Sequence, residues 1–173
     1  MQQTKKKLFG EYNYLFQFLL KVAIVLIAFL CVYQFVFEIH IYHGNDMYPS
    51  IKDGDLLFVY KIGDPIAEDA VVYKNKETGA KEVSRVFARD YGQIDFTPEG
   101  EPTLNGGVVP GFVFYKSEKK PDSPVEFPLN LEDGDIFLLD DYRTIGVDSR
   151  DFGSIDDDDV VGKIMYIFRK RGI

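Results

Sequence analysis

The chain has 173 residues, 46% of them hydrophobic and 28% charged, with 15 Phe and 11 Tyr. That length leaves room for about one domain beyond any membrane segment, and the even spread of apolar residues excludes a disordered chain. The net charge of −8 is unevenly divided: four lysines against Glu11 put residues 1–37 at +3, leaving residues 38–173 at −11, which argues against nucleic acid as a partner.

The first element in chain order is YLFQFLLKVAIVLIAFLCVYQFVF, Tyr14 to Phe37. Its uninterrupted apolar part, Val22 to Phe37, would cover about 24 Å as a helix, against about 30 Å of hydrocarbon. Leu19 and Leu20, with Lys21 snorkelling to the headgroups, close that gap. The segment is therefore predicted to be an uncleaved plasma-membrane anchor. Lys5, Lys6 and Lys7 before it predict that residues 1–13 stay cytoplasmic and residues 38–173 lie outside. A cleaved secretory signal fits less well, because the apolar region is long and ends in QFVFEIH without a small-residue cleavage pattern. A buried soluble helix fits less well too, since no second helix of matching length exists to cover it. The lone Cys31 lies inside the span, so no disulfide is expected within the chain.

Beyond the anchor, short apolar runs alternate with turn residues: EIHIY, LLFVYKI, AVVYK, EVSRVFA, QIDF, VVPGFVFYK, DIFLL and VGKIMYIF. β-branched and aromatic residues dominate them, and Gly, Pro, Asn or Asp punctuate the intervals. The expectation is a mostly β domain, antiparallel, barrel-like or two-sheeted. Residues 97–130, rich in Pro and carrying the polar run SEKKPDSP, read as a subsidiary lobe or long loop. The DDDD run at 156–159 lacks the spacing and glycine of a calcium loop and reads as a solvated turn. The terminal RKRGI reads as a frayed end whose basic residues lie within reach of anionic lipid if the bilayer is near. No cofactor or metal is expected, because His40 and His43 have no Cys or carboxylate partners at ligand spacing. Both histidines read as polar strand-end or interfacial residues.

Four blocks then stand in order behind the anchor: Asp46-Met47-Tyr48-Pro49-Ser50; Gly54-Asp55-Leu56-Leu57-Phe58-Val59; Ser84-Arg85-Val86; and Asp140-Asp141-Tyr142-Arg143 with Gly146-Val147-Asp148-Ser149-Arg150. Together they resemble the type I signal peptidases, membrane-anchored proteases that use a Ser–Lys pair to remove signal peptides. The resemblance implies that Asp46 stands at the nucleophile position, Ser84 at the base position and Gly146 at the position of the serine that orients the lysine. It also implies that Asp141, Arg143, Asp148 and Arg150 support the site through ion pairs and hydrogen bonds. Lys81 is the nearest lysine to Ser84. Three residues along a strand is about 10 Å, and an odd offset turns the side chain to the other face, so it makes a poor substitute.

Two other chemistries deserve weighing. Asp46 paired with a second carboxylate would activate water, and Asp141 is the one candidate the sequence offers. Ser84 as nucleophile with Asp46 as base would need a base stronger than an ordinary aspartate, whose pKa is about 3.9. The expectation is therefore that the chain is not an enzyme. Signal-peptidase-like proteins lacking the pair occur in Gram-positive pilus gene clusters and assist sortase-dependent pilus assembly, and the chain resembles that catalytically degenerate subgroup. This implies binding of an extended peptide or pilin segment by strand addition, with sortase nearby. Met47, Tyr48, Pro49, Phe58 and Val86 are the expected groove residues. The alternative is an active membrane peptidase of serine or carboxylate type with altered catalytic groups.

Overall fold

A computed structural model describes residues 2–109 and 123–169, with side chains from residue 13 onward. The chain divides into two compact units, residues 1–37 and 38–173. The first is a single helix, α1 (Gln2–Val36). Its stretch Asn13–Val36 has 24 residues and a mean hydropathy of 2.7, long and apolar enough to cross a membrane. At 1.5 Å per residue it spans about 36 Å, which exceeds the hydrocarbon core.

The strands follow the β-branched and aromatic runs. They are β1 (Phe37–Ile41), β2 (Leu56–Tyr60), β3 (Ala70–Lys74), β4 (Lys81–Arg89), β5 (Gln93–Phe96), β6 (Pro102–Leu104), β7 (Gly107–Val108), β8 (Leu129–Asn130), β9 (Asp135–Leu139), β10 (Ile155–Asp156) and β11 (Val160–Phe168), with the short helix α2 (Ser149–Phe152) before β10. Seven of them form a sheet in the order β1-β2-β11-β3-β4-β9-β10, and four form a second in the order β7-β6-β5-β8. The recorded pairings are antiparallel. The fold is thus mostly β, with a curled antiparallel sheet and one N-terminal apolar helix.

Register shifts curl the larger sheet. β11 is irregular between Val160 and Gly162 and again between Ile164 and Tyr166, and β4 between Val86 and Ala88. Each bulge bends its strand and increases its twist. At Gly162 the backbones approach so closely that a Cβ would lie 2.4 Å from the Tyr60 carbonyl oxygen, so only glycine fits there.

Alternation along the strands divides the core. Val72 and Val83, opposite one another on β3 and β4, pack with Tyr42, Met47, Ile51, Leu57 and Val59. Val71, Tyr73 and Val86 face the other way and pack with Ile136, Leu138 and Ile155. The second sheet begins at Gln93, four residues before the expected lobe. It shares a core with the first, since Ile94 and Leu131 pack on Phe87, Phe137 and Leu139. Most of the predicted run VVPGFVFYK and the SEKKPD part of the polar run lie outside the described residues, as does RKRGI beyond Arg169. The DDDD run forms a 3-10 turn at Asp157–Asp159, in which Asp157 pairs with Arg89 and Asp159 with Lys76.

Candidate functional site

β4 is nine residues long, but its two neighbours cover it unequally. β3 pairs with residues 81–85, whereas β9 pairs only from Arg85 onward. Residues 81–84 therefore have a strand partner on one side alone among the described residues. β1 ends the sheet and also has an open edge. The curl brings these two edges to one cleft of about 150 Å³, lined by His40, Ile41, Tyr42, His43, Asp46, Lys81, Glu82 and Val83.

The loop after β1 carries Asp46 to the cleft. Its base is closed by main-chain bonds from Tyr42 to Asp55 and from Gly54 to Tyr42, both 2.9 Å. The Tyr42 hydroxyl donates to Asp46 Oδ1 and accepts from the Met47 amide at 3.1 Å. Burial, followed by the Asp46 carboxylate, pushes the phenol pKa far up, so the hydroxyl remains a donor. The Tyr142 amide donates to the Asp46 carbonyl at 2.6 Å, tying this loop to the one after β9. Asp46 itself is half-buried.

Behind Asp46 stands a residue that sequence reasoning missed. Asp140 is 1% exposed, and Ser84 is fully buried. Ser84 lies beside the Asp140 carboxyl and favours its charge, yet Ser84 Oγ and Asp140 Oδ2 are the two buried side-chain atoms among the described residues that complete no hydrogen bond. Burial holds the Asp140 carboxyl well above the usual carboxylate range, reinforced by the charges of Asp148 and Asp46 and opposed by Ser84 and Arg150. Asp140 also fills the space over Gly146, where a Cβ would meet Asp140 Oδ2 at 2.4 Å and its Cβ at 2.6 Å. A side chain at 140 has taken the room of a side chain at 146. Nothing local in the sequence signals this, because the two residues meet only when the loop after β9 folds back.

The four expected supporting residues form a dense network nearby. Arg150 grips both oxygens of Asp148, at 2.8 and 2.9 Å, and donates to the Arg143 carbonyl at 2.7 Å. Asp148 also caps α2 and accepts from the Asp140 amide at 3.0 Å. Asp141 is held by Arg85 at 2.6 and 2.7 Å, so both its oxygens are engaged, and Asp140 rather than Asp141 is the carboxyl that feels Asp46. Arg143 donates to the Asp140 carbonyl at 3.3 Å, and burial lowers its pKa to about 10.

The remaining sequence candidates are dispersed. Met47 and Val86 are packed in different core clusters, at 0% and 1% exposure. Phe58 is half-buried on β2, opposite Tyr166. Pro49 is half-buried, while Tyr48 is exposed, 6.4 Å from the Tyr142 ring, with the Lys52 ammonium 5.2 Å from its own ring. None of the five lines the cleft at Asp46. Lys81 does line it, but its ammonium is bound to Glu38 at 2.5 Å. His43 lies 3.4 Å from Asp53, and burial lowers the pKa of His40.

The described domain is thus a curled antiparallel β structure with a cleft between open strand edges. A crystal structure of a signal peptidase I from Enterococcus faecalis V583 has this fold, with a TM-score of 0.50 and 19% identity, covering 60% of this chain and 99% of that one. Residues 15–169 match the family described as signal peptidase, peptidase S26, and the chain belongs to that family. It is 26% identical over 176 residues to signal peptidase I of Bacillus licheniformis, covering 95% of this chain and 94% of the relative. Signal peptidase I T of Bacillus subtilis (strain 168) is 27% identical over 158 residues, covering 85% and 81%. These comparisons correct the expectation that the chain is not an enzyme: the relatives aligned over most of its length are named as signal peptidases I, which are enzymes. The expectation rested on residue types at three positions, and it took no account of the carboxyl that Asp140 adds there.

Proposed function

We propose that the chain, anchored by α1 with residues 38–173 outside the plasma membrane, takes up an extended segment of an exported protein as an added strand beside Asp46. One observation carries this reading: the open edge of residues 81–84 and the open edge of β1 border a single cleft. A peptide laid there would exchange main-chain hydrogen bonds with the free edges, and the lining side chains would choose what it carries. The exported protein we propose is a pilin subunit, held close to sortase during pilus assembly. That part rests on resemblance to the pilus-associated subgroup.

Cleavage of a signal peptide is the second reading, favoured by the names of the relatives and by one feature of the site. The half-buried Asp46 and the Asp140 carboxyl, which burial holds well above the usual carboxylate range, place two acids in different environments, as proton-transfer chemistry favours.

Hydrogen exchange on the full chain in detergent micelles tests the first reading. An extended pilin segment or signal peptide should slow exchange within residues 38–43 and 81–84, and absence of protection there removes it. Mass spectrometry of the same samples, next to Asp46→Ala, tests the second. New peptide termini that vanish in the variant establish cleavage.

A further inference from the structure

Consecutive residues line the cleft on both sides, 40–43 on and just after β1 and 81–83 on β4. The cleft therefore runs along the strand edges rather than across a face, because an edge is bordered by side chains of both orientations. Val83 packs with Tyr42 and Met47 on one face. Glu82 turns to the other, opposite Tyr73 of β3. There two neutral donors hold its carboxylate. The Tyr73 hydroxyl donates to Oε2 at 2.8 Å, and the Asn75 side-chain amide donates to Oε1 at 3.1 Å and to Oε2 at 3.2 Å. Both donors are themselves fixed. Tyr73 is buried, and Asn75 Oδ1 accepts from the Glu77 and Thr78 amides in the turn between β3 and β4, at 2.9 and 3.2 Å. Burial, followed by the bond to Glu82, raises the Tyr73 phenol far above its ordinary pKa, so its hydroxyl remains a donor. Among the described residues no cation pairs with Glu82, and Lys81, its chain neighbour, is bound to Glu38 instead.

We infer that Glu82 is a specificity-determining residue, selecting an extended ligand that carries a lysine or arginine side chain on the Glu82 face of the cleft. This rests on the strand-addition reading, in which the ligand's main chain pairs with residues 81–84. A ligand residue directly opposite Glu82 would have its Cβ about 4.5–5.5 Å away, where opposite charges on paired strands attract and like charges repel. A carboxylate has about four acceptor sites and no donor, and the contacts from Tyr73 and Asn75 leave Oε1 with room for a ligand donor. Neutral braces fix the carboxylate without neutralising it, so a cationic side chain meets a pre-placed counter-ion and an acidic one meets repulsion. The other cleft groups do not offset this charge. Asp46 is a second carboxylate in the lining, burial lowers the His40 pKa, and His43 lies 3.4 Å from Asp53. Alternation then sets the neighbours: the ligand residues flanking the cationic one would face Val83 and Tyr42, where the contact is apolar.

The test uses the full chain in micelles of an uncharged detergent and acetylated, amidated alanine heptapeptides with lysine, arginine, norleucine or glutamate at the centre. Calorimetry reads affinity, and hydrogen exchange within residues 81–84 reads strand addition independently. The lysine and arginine peptides should bind about fivefold more tightly than the norleucine one, the upper range for an opposite-charge pair across strands, and the glutamate peptide should bind more weakly than norleucine. Glu82→Gln should bring the ratio of lysine to norleucine affinity close to unity, while Asp46→Asn keeps most of it. A preference that survives Glu82→Gln, or that Asp46→Asn removes instead, overturns the assignment to Glu82. Equal affinity for lysine and norleucine, with residues 81–84 still protected, overturns the inference and leaves strand addition standing. Absence of protection by every peptide removes strand addition and this inference with it. Should Glu82→Gln fail to fold, the order of affinities in the wild type carries the test, and glutamate binding as tightly as norleucine overturns the inference.

Discussion

Two polar clusters adjoin one another at the loop after β9, and they are built on opposite plans. Around Asp148 and Arg150, charges are paired and bonded several times over: two contacts between the side chains, a helix cap, and main-chain carbonyls and amides as further partners. Around Ser84 and Asp140, two buried side-chain atoms complete no hydrogen bond, and burial holds the Asp140 carboxyl well above the usual carboxylate range. The first arrangement fixes a loop. The second has low internal satisfaction, which a structural role does not require.

Substitutions can widen or collapse that contrast. The largest effect should come from Arg150→Ala, which strands Asp148 at 0% exposure without its counterion. Breaking a buried pair from one side costs about 3–5 kcal/mol, to be read by chemical denaturation of the full chain in micelles. Next comes Gly146→Ser. Its Cβ would overlap Asp140, and overpacking of this kind costs about 1–3 kcal/mol. Asp140→Gly in the same chain should restore most of the loss, giving a double-mutant cycle with strong positive coupling. An additive result would mean that the two positions do not compete for space.

The third prediction concerns pH. The Asp140 carboxyl has its folded pKa raised above the ordinary 3.8 by burial, then by Asp148 and Asp46, against Ser84 and Arg150. A raised acid contributes its stability below the unfolded pKa and loses it as pH rises through the folded value. Wild type should therefore lose stability relative to Asp140→Asn on going from pH 3 to pH 8, seen as a falling difference in denaturation midpoints. A flat difference would show Asp140 to be an ordinary carboxylate. The smallest effect is expected of Lys81→Ala. Its bond to Glu38 is partly exposed, and such pairs are worth about 0–1 kcal/mol.

Much of the fold was legible before the structure. The 24-residue apolar run announces α1, and LLFVY, AVVYK, QIDF and DIFLL coincide with β2, β3, β5 and β9. What escaped were β7, β8 and β10, each two residues long, and β6, of three, because so short a run shows no alternation. The site divides in the same way. Asp46 and Ser84 were found because each sits inside a recognisable block. Tyr42, Glu82 and Val83 were missed because they line the cleft through the curl of the sheet, which follows from bulges rather than from any local pattern. Asp140 was read past in favour of Asp141, although the order of charges along the chain says nothing of which carboxyl Arg85 will claim.

The half-covered β4 carries a risk as well as an opportunity. A free strand edge invites a neighbouring molecule to zip onto it, and proteins blunt such edges with charge. Lys81 and Glu82 open this edge, and Glu38 stands on the opposing one, so a second copy offering either strand would bring its own ions into the gap. The same charges thereby discourage a second copy from adding to this edge.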